Sequence, residues 1–595
     1  MRSCLRKRVL CAAFCTLLTS FVAATQPPPI LTITTPTNTS VFDGGSIQIE
    51  ASIQPTGRVP WVTFFAGTNL LGFDFTEPYS FNWTNPPTGR HVLRAFAVVR
   101  GGGAVESELV HIQVGSVFYD QFARRPYLQC GSPSRMVIRW RTDWPCGTYL
   151  SYGTELDEQG GSISEPTLKT EHEVTLNNLS ADTVYYYSVR TERSFLATGP
   201  DYRFRTAPRI GTSQPTRIWA IGDSGTGNNW AMAVRDAFLG HADYEAPDVW
   251  LMLGDNAYES GTDVEYQRAV FEIYPTLLQQ TALWPTIGNH DASLLHDLPY
   301  LKMFTLPSNG EAGGLPSGTE RYYSFDHANI HFVCLDATTS STRPGDAMLR
   351  WLESDLIATA QEWIIAFWHY PPYSKGSHDS DKDIELIRAR EDMLPLLESY
   401  GVDLVLTGHS HNYERSYLLD GHYGYSTNFH PEMILDARSG RPPSDGPYRK
   451  PLGPLGDRRG CVYVVCGCSG EGGATSVGSH PANLVALGGY GSMVIDVNGS
   501  TLSAIFIREH GDIDDRFTIV KDPGAVVQPR LHMVRSGDKA QLVWPAVPSS
   551  ILESTSSLLP LSPWRPVTNA VGFIGRRNVT EISLSETQQV FRLRR

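Results

Sequence analysis

The chain has 595 residues, of which 49 are basic and 62 are acidic, so its formal net charge is −13. This length accommodates about three to five domains with separate hydrophobic cores. Nonspecific nucleic-acid binding depends on a basic surface, and no basic stripe with interleaved aromatic residues occurs in the sequence. We therefore expect a multidomain protein without specific nucleic-acid binding.

The amino-terminal residues predict export. Basic residues at positions 2, 6, 7 and 8 precede an apolar stretch over residues 9–18, and small residues follow at positions 22–24. This pattern is typical of a secretory signal peptide, and the stretch is too short for a stable membrane span. We expect a signal peptide over residues 1–24, a mature form without a transmembrane anchor, and a secreted, periplasmic or cell-surface location. An uncleaved anchor is the alternative.

Cysteine usage agrees with export. After the predicted signal peptide the cysteines are Cys130, Cys146, Cys334, Cys461, Cys466 and Cys468. An even number is compatible with disulfides, but the sequence does not select a connectivity. Cys130 could pair with Cys146, and Cys461 with Cys466 or Cys468. Cys334 lies in an apolar run and is expected to be a free, buried thiol.

Residues 27–115 predict a small β-sandwich. Short alternating runs over residues 47–53, 61–66 and 91–99 are separated by Gly, Pro and Asn turns. This spacing is typical of an all-β module, and it resembles the immunoglobulin-like modules of secreted bacterial proteins.

Residues 116–208 predict a second β module, with strands expected over residues 135–141, 148–152, 171–176 and 183–191. A further β-rich unit is expected over residues 522–595, where residues 541–544 and 590–593 are candidate strands. The first of these units is expected to be structural, with a contribution to the rim of a cleft as the alternative. The sequence does not indicate whether the second unit serves surface retention, secretion sorting or stability.

In the central region, five short polar blocks follow hydrophobic runs. The runs cover residues 217–221, 249–253, 283–287, 363–368 and 404–407, and they are typical of buried strands. Helical stretches are expected between them, over residues 229–239, 264–280, 346–360 and 382–399. Such alternation predicts an α/β layer structure in which the blocks gather beyond the carboxyl ends of the strands.

The blocks carry oxygen and nitrogen donors that suit two cations. The donors are Asp223, Asp255, Tyr258, Asn289, His369, His409 and His411. Each block alone has an ordinary structural reading, such as a Gly-Asp turn or a core histidine. No packing rule requires all of the blocks in this order, so together they predict a dinuclear metal site.

The set GDxG, GDxxY, GNH, a strand-final His and GHxH resembles the signature of the purple acid phosphatases, within the calcineurin-like metallophosphoesterases. The resemblance covers about residues 216–521, within a catalytic domain expected over residues 212–521. It implies a four-layer α/β fold, a two-sheet β-sandwich flanked by helices, with the metals at one sheet edge. Residues 116–208 resemble the fibronectin type III-like domain that precedes the catalytic domain in larger members.

By this resemblance, Asp223, Asp255, Tyr258 and His411 hold Fe(III). Asp255 bridges to a divalent ion, Zn, Fe or Mn, which Asn289, His369 and His409 complete. An independent argument assigns the ferric side. A phenol binds as phenolate only when a strongly Lewis-acidic cation displaces its proton, so the tyrosine indicates a trivalent ion.

His290, next to the expected ligand Asn289, and His378 are the candidate catalytic residues. His378 lies nine residues after His369, and a histidine at this offset resembles the family's phosphate-contacting or leaving-group-protonating residue. Plant-type members carry a second histidine directly after the one that corresponds to His378, whereas this chain has Asp379. His378 is our first choice for the general acid. Lys375 is either a phosphate contact or a solvated loop charge.

Two further residues accompany the blocks. Asp291 is expected outside the metal-ligand set, where it orients a neighbour or caps a helix. Arg415, shortly after the last block, is either an ion-paired support or a substrate contact.

The expected function is therefore a secreted binuclear metallohydrolase that cleaves phosphate monoesters by attack of a metal-bound hydroxide. A phosphodiesterase with the same metal site is the nearest alternative. A noncatalytic surface-binding protein on a phosphoesterase scaffold is the other. The oligomeric state is not indicated.

Overall fold

The computed structural model describes residues 29–100, 102–115, 119–156, 160–241, 245–293, 298–452, 459–473, 478–523, 531–536, 539–545, 551–556, 563–569, 571–574, 577–583 and 590–594. The predicted signal peptide, residues 1–24, lies outside this set. The chain divides into two compact units, Met1–Tyr119 and Asp120–Arg595.

The first unit is the expected immunoglobulin-like β-sandwich. Its described strands are β1 Ile30–Thr35, β2 Ser40–Phe42, β3 Ile47–Gln54, β4 Val62–Ala66, β5 Asn69–Asp74, β6 Tyr79–Trp83, β7 Gly89–Val98, β8 Ala104–Glu106 and β9 Val110–Val114. One sheet has the order β1-β3-β6 and the other β2-β9-β7-β4-β5, with β8 on β7. Every second residue of β3, from Ile47 to Ile53, is buried, as expected for a strand with one face in a core.

The second unit begins with the second predicted β module. Its described strands are β10 Phe122–Ser132, β11 Arg135–Gly153, β12 Gly161–Asn177, β13 Val184–Arg190, β14 Phe195–Ala197 and β15 Arg203–Arg205. Two strands expected over residues 135–141 and 148–152 form the single strand β11. The pairing of β11 with β12 shifts register between Arg141 and Cys146, around Pro145, which lacks the amide hydrogen that a regular ladder needs.

This module packs directly on the central region. The Tyr127 hydroxyl donates a 2.7 Å hydrogen bond to the Met303 carbonyl, and the Tyr187 hydroxyl donates one of 3.0 Å to the Gln279 carbonyl. Buried tyrosine hydroxyls need such partners, so these bonds fix the module against the central region.

The central region contains two mixed sheets. Its described strands are β16 Thr216–Ile221, β17 Val249–Met252, β18 Leu283–Pro285, β19 Tyr323–His327, β20 Ile330–Cys334, β21 Trp363–Phe367, β22 Leu404–Thr407, β23 Tyr413–Ser416, β24 Leu418–Leu419, β25 Ile434–Asp436, β26 Tyr448–Pro451, β27 Val462–Cys466, β28 Asn483–Leu487, β29 Gly491–Asn498, β30 Thr501–Arg508 and β31 Ile513–Asp522. The sheet orders are β18-β17-β16-β29-β30-β31-β26 and β19-β20-β21-β22-β27-β23-β28. The expected two-sheet architecture is confirmed.

Helices flank these sheets. The described α-helices are α1 Asn229–Leu239, α2 Asp263–Tyr266, α3 Pro275–Leu278, α4 Pro299–Met303, α5 Ala347–Ala358, α6 Ile384–Arg388 and α7 Leu394–Ser399. The side chain of Asn228 accepts hydrogen bonds from the amides of Trp230 and Ala231, so it caps α1.

Two expected helices are interrupted. The stretch over residues 264–280 contains α2, a π-helical turn Gln267–Phe271 and α3, while residues 382–399 contain α6, a π-helical turn Ala389–Met393 and α7. Proline cannot donate to the preceding turn, and it is tolerated at the start of a helix. Pro275 and Pro395 therefore stand at the beginning of α3 and α7, where the expectation of one continuous helix was wrong.

The parallel strands bring the polar blocks to one edge. In the first sheet β16, β17 and β18 run parallel, and in the second β20, β21, β22 and β27 do. The carboxyl ends of parallel strands meet at the same edge. All five blocks follow these ends.

The last β-rich unit has the described strands β32 His532–Ser536, β33 Lys539–Pro545, β34 Ile551–Thr555, β35 Arg565–Pro566, β36 Val571–Ile574, β37 Arg577–Ser583 and β38 Val590–Arg594. They form the sheets β32-β33-β37-β36 and β35-β34-β38. Leu542, Trp544 and Leu552 are buried between the strands.

The six cysteines of the described chain are buried and unpaired, so the structure contains neither of the local disulfides considered from the sequence. Burial raises the pKa of Cys334 to about 12, which keeps it a thiol, as expected for a core residue. None of the helices in the described ranges has the length and apolar character needed to cross a membrane.

Candidate metal centre

The polar loops at the sheet edge have a strained backbone. Asp223, Asp255 and His409 adopt left-handed conformations, with φ of 54°, 51° and 65°. This region is unfavourable for residues with a side chain and is occupied mainly where function or packing requires it. Each of these residues directly follows a glycine at the end of a strand.

Those glycines leave room for the polar side chains. A Cβ atom on Gly254 would lie 2.5 Å from Nδ1 of His369, and one on Gly408 would lie 2.5 Å from Oδ2 of Asp223. Such contacts are far too short, so these positions accept only glycine. The Gly-Asp and Gly-His pairs of the sequence thus reflect crowding around the centre.

One group of donors surrounds Asp223. The Tyr258 hydroxyl lies 3.1 Å from Oδ1 of Asp223, and Nε2 of His411 lies 3.5 Å from the same oxygen. Asp223 is fully buried and Tyr258 is nearly so. These atoms form the side of the centre predicted to hold Fe(III).

A second group surrounds His369. Its Nε2 atom lies 3.0 Å from Oδ1 of Asn289 and 3.2 Å from Nδ1 of His409. Nδ1 of His369 is 2.9 Å from the Leu253 carbonyl and donates its hydrogen there, so Nε2 is the ring nitrogen that faces the centre. These residues form the side predicted to hold a divalent ion.

Asp255 connects the two groups. Its Oδ2 atom lies 3.2 Å from the Tyr258 hydroxyl and 3.3 Å from Nε2 of His369. Oδ1 accepts a 2.8 Å hydrogen bond from the His290 amide, which fixes the carboxylate plane. A single carboxylate oxygen between two donor groups is the position of a bridging ligand.

Burial and neighbouring charges shift the pKa values of the groups in this centre. Burial and the carboxylates of Asp223 and Asp255 raise the pKa of Tyr258 well above its ordinary value. Burial lowers the pKa of His369, but the Asp255 carboxylate outweighs it and raises the pKa to about 9. Burial followed by the charge of His369 depresses the pKa of His409.

The donor set fits two cations. Asp255, His369 and His409 place ligand atoms within 4.8 Å of one another, and the neighbouring tyrosine and carboxylate complete a second oxygen-rich group. A trivalent cation beside Tyr258 would reverse the penalty that the carboxylates impose on phenolate formation. The ions would offset the charge of the buried carboxylates, and the imidazoles would coordinate them as neutral ligands.

Asp291 holds two of the loops together. Its carboxylate accepts hydrogen bonds from the Asn256 side chain at 2.9 Å, the Gly288 amide at 2.8 Å and the Tyr266 hydroxyl at 2.6 Å. Burial and the nearby Asp255 raise its pKa to about 7. Asp291 therefore lies beneath the centre and orients neighbouring residues.

The two candidate catalytic histidines lie beside different donor groups. The His290 ring centroid is 4.4 Å from that of Tyr258, and Nδ1 of His290 is 2.8 Å from the Glu259 carbonyl. The His378 ring centroid is 3.8 Å from that of His409. Both rings are partly exposed, which suits contact with a substrate.

Sequence reasoning did not identify the partner of His378. Nδ1 of His378 lies 2.9 Å from Oδ2 of Asp383, five residues further along the chain. Asp379, where the family pattern departs, instead pairs with Lys375 and with Lys382, the latter at 3.0 Å. The acidic run after His378 signalled an interaction, but the sequence could not show which carboxylate makes it.

Lys375 and Arg415 both have structural partners. Lys375 pairs with Asp379 and, at 2.9 Å, with Asp381, so its charge is already balanced by carboxylates. Arg415 is fully buried and donates to both carboxylate oxygens of Asp515, at 2.5 and 3.0 Å. The ion-paired support considered for Arg415 is therefore the arrangement that the structure shows.

Three stretches of the chain match known families. Residues 216–413 match the calcineurin-like phosphoesterase family, residues 123–206 the purple acid phosphatase N-terminal domain, and residues 29–95 the bacterial Ig domain.

Two curated relatives are named as purple acid phosphatases. Purple acid phosphatase 15 of Arabidopsis thaliana is 30% identical over 276 residues, which are 41% of this chain and 49% of the relative. Probable purple acid phosphatase 20 of the same plant is 29% identical over 49% of this chain and 69% of its own length. The chain thus spans only about half the length of the first of these relatives.

The fold has a solved counterpart in a purple acid phosphatase, PPD1, isolated from yellow lupin (Lupinus luteus) seeds. The TM-score is 0.53 at 16% identity, over 83% of this chain and 96% of the lupin chain. At this identity the likeness concerns the fold, and the family matches and relatives above concern the sequence. The chain therefore resembles the purple acid phosphatases, within the calcineurin-like phosphoesterases, and that family implies a dinuclear metal centre.

Proposed function

We propose that the protein hydrolyses phosphate monoesters with two metal ions. Asp223, Asp255, Tyr258 and His411 would hold Fe(III), and Asp255, Asn289, His369 and His409 would hold a divalent Zn, Fe or Mn ion. The position of Asp255 Oδ2, 3.2 Å from the Tyr258 hydroxyl and 3.3 Å from Nε2 of His369, is the observation that carries the proposal.

Two such ions supply a water of lowered pKa and positive charge for the phosphoryl group. The protein's own part is to position and protonate. His378, held at Nδ1 by Asp383, would donate a proton from Nε2 to the leaving oxygen. His290, whose Nδ1 is engaged by the Glu259 carbonyl, would offer Nε2 to a phosphate oxygen.

The strained loops support catalysis by holding these groups in place before substrate binds. Asp291 and the left-handed residues Asp223, Asp255 and His409 fix the donor positions. A preorganised polar site need not reorient its dipoles during the reaction. This argument favours an enzyme over a noncatalytic scaffold.

Hydrolysis assays on the metal-loaded full chain test the proposal. We expect a higher kcat/KM for a simple monoester than for a matched diester, and a loss of at least about a hundredfold in Asp255→Asn. Asp496→Asn is the matched control. Asp496 lies in β29, outside the centre, and pairs with Arg217 at 2.7 Å. A diester preference, or unchanged hydrolysis in Asp255→Asn, would refute the proposal.

Export is a separate part of the proposal. It rests on the basic and apolar residues of positions 2–18 and the small residues of positions 22–24. Cell fractionation and amino-terminal sequencing of the native protein test it. A protein that retains residues 1–24 and remains in the cytoplasm would contradict it.

A further inference from the structure

An aromatic pair stacks at the metal edge, outside the donor groups. The rings of Trp230 and Tyr490 are parallel within 7° and their centroids are 4.5 Å apart. Trp230 nevertheless remains 47% exposed. Tyr490 covers one face of the indole, and about half of the Trp230 surface stays open to solvent.

Chain topology places this pair at the same sheet edge as Asp223. Strand β16 leads into Asp223, and β29 begins directly after Tyr490. These strands are antiparallel neighbours in which Ala220 pairs with Met493. The carboxyl end of β16 and the amino end of β29 therefore share the edge on which the metal centre lies.

Two short connections tie the pair to the loop of Asp223. The Asn228 side chain, two residues before Trp230, donates a 3.1 Å hydrogen bond to the Gly470 carbonyl. The Glu471 amide donates one of 2.8 Å to the Asp223 carbonyl. Both sides of the stack are thus attached to the same loop and to the same segment, residues 470–473.

Gly472 packs against the Tyr490 ring. A Cβ atom on Gly472 would lie 2.9 Å from Cδ1 and Cε1 of Tyr490, so the close approach requires glycine. The tyrosine ring therefore contacts both this backbone and Trp230. Glu471 directly precedes Gly472 in the chain, and its amide is bonded to the Asp223 carbonyl. Glu471 therefore links the stack to Asp223 in this series of contacts.

We propose that the open face of Trp230 binds the base of a nucleoside monophosphate whose phosphate lies at the metal centre. Indole rings stack on every nucleobase, and the contact with Tyr490 holds the Trp230 ring in a fixed orientation. The Glu471 carboxylate accepts hydrogen bonds from sugar hydroxyls and repels a second phosphate. The inference rests on the proposed phosphatase activity and assigns its substrate class.

Kinetics with three esters test the inference on the metal-loaded full chain: adenosine 5′-monophosphate, phenyl phosphate and glycerol phosphate. Trp230→Ala should raise the ratio of KM for the nucleotide to KM for glycerol phosphate about tenfold. Trp230→Phe keeps an aromatic face and should retain most of the preference. Trp61→Ala removes an exposed tryptophan of the immunoglobulin-like module and should leave the ratio unchanged.

The nucleoside is distinguished from a simple aryl group by Glu471→Gln. This change should raise KM for the nucleotide more than KM for phenyl phosphate, because only the nucleotide has sugar hydroxyls. An unchanged nucleotide ratio in Trp230→Ala would overturn the subsite. A change in that variant confined to phenyl phosphate would overturn the nucleoside assignment.

Binding separates this inference from the proposed function. If the metal-loaded chain hydrolyses none of the three esters, the proposed function fails while the subsite is still measurable. Calorimetric titration of adenosine 5′-monophosphate should then show affinity about tenfold weaker in Trp230→Ala than in Trp61→Ala. Equal affinities would overturn the subsite, provided that both variants melt at the same temperature as the unmodified protein.

Discussion

Asp383 holds His378 by a 2.9 Å contact between its carboxylate and Nδ1 of the imidazole. The ring so held lies 3.8 Å from the ring of His409, measured between centroids. A carboxylate at Nδ1 fixes both the ring orientation and the nitrogen that remains for the substrate. Asp383 is therefore a positioning residue for the proposed proton donor.

Replacement of this carboxylate should affect poor leaving groups most. In Asp383→Asn we expect kcat for an alkyl monoester to fall about tenfold to a hundredfold, with a smaller fall for an aryl ester whose leaving oxygen needs less protonation. His378→Ala should show the same selectivity to a greater extent. A series of esters with leaving groups of graded pKa measures it.

Asp379→Asn is the control for this series, since Asp379 pairs with lysines four residues before it and three after it. Asp379→Asn should lower kcat for all of the esters equally or not at all. Equal losses across the series in His378→Ala would instead assign that histidine to phosphate binding.

Loss of Asp291 should loosen the floor of the centre. Asp291→Ala would leave the Asn256 side chain, the Gly288 amide and the Tyr266 hydroxyl without their shared acceptor. Each buried unsatisfied group costs about 1–3 kcal/mol, so the melting temperature should fall by several degrees. Metal affinity should fall about tenfold to a hundredfold. Unchanged melting and metal affinity would show that these bonds are not needed.

Stability should depend on His331 at alkaline pH. Burial lowers the pKa of His331, but hydrogen bonds of 2.8 Å with Asp326 and Asp355 outweigh it and raise the pKa from 6.5 to about 9. The stabilisation, about 3 kcal/mol, is complete below pH 6.5 and is lost progressively as pH rises to about 9.

Thermal melts between about pH 6 and about pH 10 measure the effect, because this range includes the whole window in which the stabilisation is lost. The difference in melting temperature between the unmodified protein and His331→Gln should be largest near the acid end and should narrow toward the alkaline end. His510→Gln, at an exposed histidine, should show no such trend. A difference that is constant with pH would exclude charge on His331 as its source.

The position of the centre could be predicted because its determinants are local in sequence. Each donor block directly follows a hydrophobic run, and the runs form parallel strands whose ends meet at one edge. Gly254 and Gly408 are required by crowding, which is why they accompany the donors as recognisable pairs. Pro275 and Pro395 are also visible in the sequence, and they mark the points at which the two expected helices are interrupted.

Other features depend on partners far away in the chain. Arg415 meets Asp515 across 100 residues, and nothing near either residue indicates the pairing. Trp230 lies at the start of α1 and Tyr490 lies directly before β29, and the two rings stack because both positions are at the same edge of the sheet. The cysteines show the converse, since their even number suggested disulfides that the packing of buried thiols does not form.

The central claim is that two metal ions occupy the centre, one of them Fe(III) beside Tyr258. Metal analysis and a visible spectrum of the aerobically purified full chain test it most directly. We predict two ions per chain and a phenolate-to-ferric absorption band that disappears in Tyr258→Phe. The band should persist in Tyr323→Phe, which removes a buried hydroxyl bonded to the Pro285 carbonyl. A chain that binds no metal, or a band that survives Tyr258→Phe, would contradict the account.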